Sequence, residues 1–197
     1  MKKDSEIKKF SKIIKNELSL SRYKHSLKVA EIAELLSKQF RYSDPEKAYL
    51  AGLLHDITKQ KGNEFHISLF KKNKFKKYFE IPESSYHSYS ARFYIQEVYR
   101  FTNEEIFSAI DSHTLGEKSM SLLQKIIYCS DFLGSEYAQN HKEYKFWLEK
   151  TKKILEYGTY LKSSRTIEKL LQKKYDIHEN TIAVYKYSIL ALKKVNL

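Results

Sequence analysis

An all-α fold is predicted by three features of this sequence. Only two prolines and five glycines interrupt its 197 residues, apolar residues recur at intervals of three and four, and no alternating strand series or internal repeat occurs. Sandwiches and barrels need frequent turn residues that this chain does not supply. A chain of this length with 42% hydrophobic residues can build one sizeable core and is short for two, so a single domain with an appended element is expected.

The elements follow in order. Residues 5–18 place Ile7, Phe10, Ile13, Ile14 and Leu18 on one helical stripe. Residues 21–40 do the same with Leu27, Ala30, Ala33, Leu36 and Phe40, and His25 falls near the start of that helix. Ser43-Asp44-Pro45 reads as a helix start, with Asp44 as N-cap and proline at the first helical position, where its missing N–H costs nothing. That helix runs through Tyr49, Leu50, Leu53 and Leu54 to the adjacent pair His55 and Asp56. A lysine-rich connecting helix follows. Its cluster Lys71-Lys72-Asn-Lys74-Phe-Lys76-Lys77 reads as a solvated face with Phe75 and Phe79 on its buried side.

Ile81-Pro82-Glu-Ser-Ser85 breaks the pattern, and a helix carrying Phe93, Ile95 and Val98 begins near His87. Thr102-Asn-Glu-Glu105 fits a capping box for the helix through Ile106, Phe107 and Ile110, which finishes at His113-Thr-Leu-Gly116 with a glycine suited to a left-handed cap. Ser121 to Leu133 is one apolar helix that includes Leu122, Leu123, Ile126, Ile127 and Phe132, and Asp131 lies within it. A carboxylate among such neighbours needs a partner. Beyond Gly134 come lysine- and tyrosine-rich amphipathic helices, with Trp147, Leu148, Ile154, Leu155 and Leu161 in one group and Ile182, Val184, Ile189 and Leu190 in the last. They read as an extension packed on the core, because some 60 residues without disulfide or metal would be marginal alone.

Composition narrows the setting. The single Cys129 sits in an apolar run, which suits a buried small hydrophobe and a reducing compartment. No signal peptide is evident, and no apolar run approaches the roughly 20 residues that span a bilayer. A cytoplasmic protein without membrane contact is the expectation. The net charge of +12 suggests anionic partners, yet 31 of the 36 basic residues are lysine (36 minus five arginines). Nucleotide, nucleic acid and plain solvated surface all stay open.

His25, His55, Asp56, His87, His113 and Asp131 stand at separated points, each inside or beside a helix. Such spacing is no zinc finger, which needs short-range cysteine and histidine pairs. It suits a site assembled by tertiary packing, and imidazole plus carboxylate without thiolate favours iron, manganese, zinc or nickel. His66 and His141 match no motif and read as surface residues.

The order of these segments resembles the HD-domain metal-dependent phosphohydrolases. Arg22-Tyr-Lys-His25-Ser, Leu53-Leu-His-Asp-Ile-Thr-Lys59, Ala109-Ile-Asp-Ser-His-Thr114, Ser121-Leu-Leu-Gln-Lys-Ile-Ile127, Ser130-Asp131 and Ile177-His-Glu-Asn-Thr181 together resemble the bacterial HD-domain symmetrical bis(5'-nucleosyl)-tetraphosphatases over nearly the whole chain. The resemblance implies an all-α HD-domain helical bundle over 1–197, with a metal-binding core at about 20–135 and a C-terminal helical extension at about 136–197. It implies a dinuclear divalent metal centre, iron being the metal associated with the family and manganese or another divalent ion the alternative. His25, His55, Asp56 and Asp131 would surround one metal, and His87 and His113 would hold the second, with Asp56 reaching both.

The implied reaction splits diadenosine tetraphosphate into two ADP molecules by attack of a metal-bound hydroxide, with a dinucleoside polyphosphate as substrate and a nucleoside diphosphate as product. Two adjacent cations would lower the pKa of a shared water and neutralise phosphoryl charge. Asp56 and Lys59 are the expected catalytic residues. Arg22, Thr58, Lys59, His87 and Thr114 are the expected substrate contacts. Asn180 and Thr181 would form the nucleotide end of the pocket, with His178 nearby in a pocket or supporting role. Lys59 would share a face with His55 if the helix continued, and would otherwise be an exposed helix-end lysine. A homodimer is compatible with the resemblance, and nucleic acid is not an expected partner.

Four positions depart from the family pattern. Where relatives read Thr-Gly-Arg-Pro-Gly after the His-Thr pair, this chain has Leu115-Gly-Glu117-Lys118-Ser119; Ser88 and Tyr89 replace a Gly-Pro; Leu133-Gly-Ser135 replaces Ile-Glu-Pro; and Asp111 stands where a residue compatible with an anion is expected. These differences bear on specificity more than on hydrolysis. Two other functions therefore stay in view: an HD phosphohydrolase acting on another nucleotide, and a basic nucleic-acid-binding module with a structural metal.

Overall fold

The structure is a computed structural model and describes residues 2–195; Met1, Asn196 and Leu197, which fall at the two ends of the expected domain, lie outside the described residues. The helices are α1 (Lys2–Glu17), α2 (Leu20–Gln39), α3 (Pro45–Leu54), α4 (Asn63–Lys72), α5 (Tyr86–Tyr99), α6 (Glu104–Ser112), α7 (Leu122–Leu133), α8 (Glu136–Gln139), α9 (Tyr144–Lys153), α10 (Leu155–Gln172) and α11 (Glu179–Lys194). Short 3-10 turns at Lys76–Phe79 and Glu83–Ser85 join α4 to α5, and no strand occurs among the described residues. No described helix is long and apolar enough to cross a membrane.

Two helices are apolar nearly all round, as befits elements with neighbours on every side. In α3 the side chains of Ala48, Leu50, Ala51, Leu53 and Leu54 are buried, and in α7 those of Leu123, Ile126, Ile127, Tyr128, Cys129 and Leu133 are. Both pack against α2, and α6 lies against both. The close crossing of α2 and α3 requires Gly52, since a Cβ there would stand 2.8 Å from the Ala30 Cα. The extension joins the same core: α10 packs on α7, α9 and α11, and Trp147, Leu155 and Leu161 belong to the central apolar cluster.

The helix starts follow from their caps, with one correction. The Asp44 carboxylate accepts the Lys47 N–H at 3.1 Å, with Pro45 opening α3, and Ser121 and Gln124 form a capping box at the head of α7. At α6 the N-cap is Asn103 rather than Thr102: the Asn103 carboxamide accepts the Ile106 N–H at 3.1 Å. Glu105 turns away to accept from Tyr42 and Lys47, so the box expected from Thr102 to Glu105 does not form.

Helix ends show what a glycine-poor chain does instead. Arg41, Lys74 and Lys174 take left-handed φ values of 53°, 54° and 57°. Each is followed by an N–H that reaches back five residues, as in Tyr175 N–H to Leu170 O at 2.9 Å. A cation suits the negative helix end, but its Cβ costs about 1–2 kcal/mol in this conformation. Lys174→Gly is expected to stabilise the fold by about 0.5–1 kcal/mol in urea unfolding; a loss of stability would show that the Lys174 charge outweighs the strain. Gly116 takes the left-handed cap expected of it, at φ 75°.

Several side chains differ from expectation. Phe79 is 78% exposed, and Val98 and Leu190 are also exposed, because the 3-10 turn and the outer faces of α5 and α11 have no neighbour there. His66 is not a surface residue. It is buried, donating from Nε2 to the Lys61 carbonyl at 3.1 Å while Nδ1 pairs with the Ser90 hydroxyl at 2.8 Å. His141 is half-buried and stacks on Trp147 at 4.2 Å between ring centroids.

The end of α1 is tied down by Glu17, which accepts from the Tyr94 and Tyr99 hydroxyls at 2.8 and 2.7 Å and from Lys61 at 3.2 Å. Burial opposes ionisation, but these donors together hold the carboxyl below its usual range. A lowered folded pKa adds stability above the unfolded value of about 4.5 and loses it as pH falls through the folded value. Glu17→Gln is therefore expected to cost about 2 kcal/mol at pH 7, with the difference fading in acid. Urea titrations at pH 7 and pH 3 check this, and a cost independent of pH would show that charge plays no part.

Candidate metal centre and its cavity

Five helices converge to make the centre. His25 comes from the second turn of α2, His87 from the first turn of α5, and Asp131 from the last turn of α7. His55 and His113 are the C-cap residues of α3 and α6. The α3 helix stops at Leu54, and residues 55–60 form tight turns closed by Ile57 N–H to Leu54 O and Lys59 N–H to Asp56 O. Lys59 thus reaches the centre from a turn and not by helix continuation. Its Nζ lies 3.2 Å from His87 Nδ1.

Asp56 stands in the middle with its two oxygens facing different ways. Oδ2 is 3.4 Å from His55 Nε2 and 3.8 Å from His25 Nε2, while Oδ1 is 3.3 Å from His87 Nε2 and 3.7 Å from His113 Nε2. Asp131 Oδ1 completes the first side, 3.2 Å from His25 Nε2 and 3.4 Å from His55 Nε2. The geometry contains two sets of potential ligands, His25 with His55 and Asp56, and Asp56 with His87 and His113, each with donor atoms within 4.8 Å of one another. Asp56 belongs to both.

Backbone carbonyls settle which ring nitrogens face inward. His55 Nδ1–H donates to Gly52 O at 2.7 Å, His113 Nδ1–H to Ile110 O at 2.6 Å, and His25 Nδ1–H to Gly134 O at 3.2 Å. Each ring thereby turns its Nε2 toward the centre. Among the described residues His55 Nε2 has no hydrogen-bond partner, and it is buried between two carboxylate oxygens. Lone pairs and carboxylates converging there repel one another unless a cation lies among them, so the donor set fits a divalent metal.

Electrostatics agree. Burial opposes charge on Asp56 and Asp131, yet His55 in the first case and Lys162 in the second help to hold them well below the usual carboxylate range. Burial keeps His87 and His113 below the usual imidazole range, and hence neutral. At His55 burial works against the proton but Asp56 and Asp131 outweigh it and push the pKa up to about 10. The field that draws a proton to that nitrogen would draw a metal ion more strongly. Lys59 is lowered by burial, against the pull of the same two carboxylates.

Lys162 is the residue that sequence reasoning missed. This lysine of α10 is 5% exposed, and its Nζ donates to Asp131 Oδ2 at 2.7 Å and to the His113 carbonyl at 2.6 Å, 4.3 Å above the Tyr128 ring centroid. One ammonium therefore braces a residue on each side of the centre. Among 31 lysines only its place on a helix face otherwise occupied by Leu155, Gly158, Thr159 and Leu161 could have singled it out.

A cavity of about 780 Å³ opens above the centre. Arg22, Lys59, Thr114 and His87 line it beside the candidate ligands, and Arg22 Nη1 donates to Asp56 Oδ2 at 2.9 Å. Other expected substrate contacts lie elsewhere. Thr58 is buried and donates to the His87 carbonyl at 2.9 Å. Thr181 donates to Leu115 O at 3.2 Å, His178 caps α11 by accepting the Asn180 N–H at 3.1 Å, and none of Thr58, His178, Asn180 and Thr181 lines the cavity. The far wall is instead built by α10.

Most of the departures from the family pattern also fall outside it. Asp111 Oδ2 accepts from Arg92 Nη2 at 2.7 Å, Glu117 accepts from Gln124 at 3.1 Å, and Ser88 donates to Ser85 O at 2.6 Å. Only Ser135 of the four touches the cavity.

An all-helical bundle closing on a buried histidine and aspartate cluster that can take paired divalent ions defines a class of metal-dependent enzyme. This chain belongs to the HD domain family, whose sequence model matches residues 22–156, and it is a hydrolase. It is 29% identical over 182 residues to the symmetrical bis(5'-nucleosyl)-tetraphosphatase of Halalkalibacterium halodurans, covering 92% of this chain and 96% of that one. It is 28% identical to the enzyme of the same name from Staphylococcus aureus, covering 92% and 93%. Among solved structures it is similar to one described as a predicted HD superfamily hydrolase involved in NAD metabolism from Clostridium acetobutylicum, with a TM-score of 0.84 at 28% identity, covering 94% of this chain and 97% of that one.

Proposed function

We propose that this protein is a cytoplasmic hydrolase of dinucleoside tetraphosphates, chiefly diadenosine tetraphosphate, which it cleaves symmetrically into two nucleoside diphosphates. The observation that carries this reading is the division of Asp56, one oxygen toward His25 and His55 and the other toward His87 and His113. That arrangement suits two cations sharing one carboxylate, and two relatives bearing this activity in their names align with over nine-tenths of the chain. His25, His55, Asp56 and Asp131 would hold one metal, and Asp56, His87 and His113 the other, with iron or manganese as the ion. Bound there, the pair supplies Lewis acidity and an activated water.

The chain's own groups do the rest. Arg22 holds Asp56 Oδ2 and so fixes the plane of the shared carboxylate. Lys59 and Thr114, both beside His87, are positioned to accept the phosphoryl group: an ammonium and a hydroxyl offering hydrogen bonds to its oxygens as charge builds in the transition state. His55 is fully buried and does not line the cavity, so it keeps bulk water from the side of the centre behind the cavity. The extension acts with the core as one unit, since its Lys162 is part of the centre.

Product analysis on metal-loaded protein tests the reading: ADP alone is expected from diadenosine tetraphosphate, whereas ATP with AMP would overturn symmetrical cleavage. The solved relative described as involved in NAD metabolism favours a second reading, an HD phosphohydrolase of another nucleotide. A higher kcat/KM on any mononucleotide than on dinucleoside tetraphosphates would select it.

A further inference from the structure

We propose that α10 and the turn behind it form the nucleotide subsite of the cavity, with Arg165, Lys169 and Lys173 binding phosphate oxygens and Tyr175 stacking on a base. The proposal rests on the hydrolase reading of the same site and locates the part of the substrate that the metal centre does not hold. Arg165, Lys169 and Lys173 all line the cavity. With Lys162 they are spaced by three, four and four residues, which is one stripe on a helix, about 16 Å from end to end at 1.5 Å per residue.

The inner end of the stripe is fixed to the centre, because Lys162 is bonded to Asp131 and to the His113 carbonyl. A ligand whose reacting phosphorus sits at the centre would therefore lay the rest of its phosphates along α10. Charge supports this direction. Arg165 is paired with Glu168 at 2.9 Å, the acidic residue on this wall, but among the described residues neither the Lys169 nor the Lys173 ammonium has an ion-pair partner. Two unpaired cations facing a cavity suit a polyanion, in which each charge-assisted contact adds geometric selection.

The outer end carries the aromatic group. Lys174, left-handed at φ 57°, and the Tyr175 N–H bond to Leu170 O fix the backbone that presents Tyr175 at the rim, where its ring is 62% exposed. An exposed ring at the end of a cationic stripe matches a purine at the end of a phosphate chain, since any base offers a π-face. It also explains where the nucleotide goes, given that neither Asn180 nor Thr181 lines the cavity and that the Thr181 hydroxyl donates to Leu115 O.

Calorimetric binding of ADP and of inorganic pyrophosphate to the metal-loaded full chain tests the proposal. Lys169→Glu with Lys173→Glu is expected to weaken both at least tenfold and to raise KM for diadenosine tetraphosphate by a similar factor, with kcat altered less than threefold. Tyr175→Ala is expected to weaken ADP about fivefold and pyrophosphate not at all. Charge reversal at the exposed Lys186 and Lys193 of α11 controls for net charge and is expected to change neither. ADP affinity within twofold of wild type in the Lys169 and Lys173 double variant would overturn the proposal, as would an equal effect of Tyr175→Ala on both ligands. Symmetrical hydrolysis with an unchanged KM in the double variant would remove the subsite and leave the reaction. ADP binding that depends on the stripe, in a protein that hydrolyses no dinucleoside polyphosphate, would remove the reaction and leave the subsite.

Discussion

Asp56→Asn is expected to abolish the uptake of both metal ions and to lower hydrolysis by roughly three orders of magnitude, about 4 kcal/mol of barrier. The substitution keeps the shape of the side chain and removes its charge. Its effect should exceed that of losing any one histidine, because each ring serves one side of the centre while Asp56 faces both. The amide would also put an NH2 group toward one histidine lone pair or another, and it would leave Arg22 without its 2.9 Å anionic partner. Elemental analysis and steady-state rates on the same sample check this. Retention of both ions, with activity within tenfold of wild type, would take the bridging role from Asp56.

Lys162→Met, outside the ligand set, is expected to destabilise the fold by about 3 kcal/mol. The methionine fills the space of the alkyl chain but leaves Asp131 Oδ2 and the His113 carbonyl without their donor. The pH dependence gives a second handle. Asp131 is held well below its usual range, against burial, first of all by Lys162. A lowered folded pKa contributes stability above the unfolded value of about 3.9, lost as pH falls through the folded value. The gap between variant and wild type should thus be widest near neutrality and shrink in acid. Urea unfolding of chelator-treated protein measures this apart from any metal, and a cost below 1 kcal/mol would mean that water replaces the ammonium.

Local chemistry explains which parts of this picture were legible in the sequence. The caps at Asp44 and Ser121 and the apolar runs of α3 and α7 act within one turn of chain, and they are where the sequence places them. The candidate ligands could be named because a family pattern marks them, and the fold brings all six together. What was hidden depended on packing across long intervals. His66 is bonded to Ser90, 24 positions away, and Lys162 to His113, 49 positions away. No spacing rule separates such a lysine from the other 30 in the sequence. The C-terminal residues Asn180 and Thr181 carry a motif but not a direction: neither lines the cavity, and the Thr181 hydroxyl turns to Leu115.

Gly52 sets a distance as well as a contact. Its missing Cβ lets α2 and α3 touch, and its carbonyl is the acceptor that orients His55. His25 rides on one of those helices and His55 caps the other, so the bite offered to an ion of given radius is set by a glycine that never meets the ion. The spacing of two candidate ligands is thereby written partly in the core, at a position that no inventory of ligands would include.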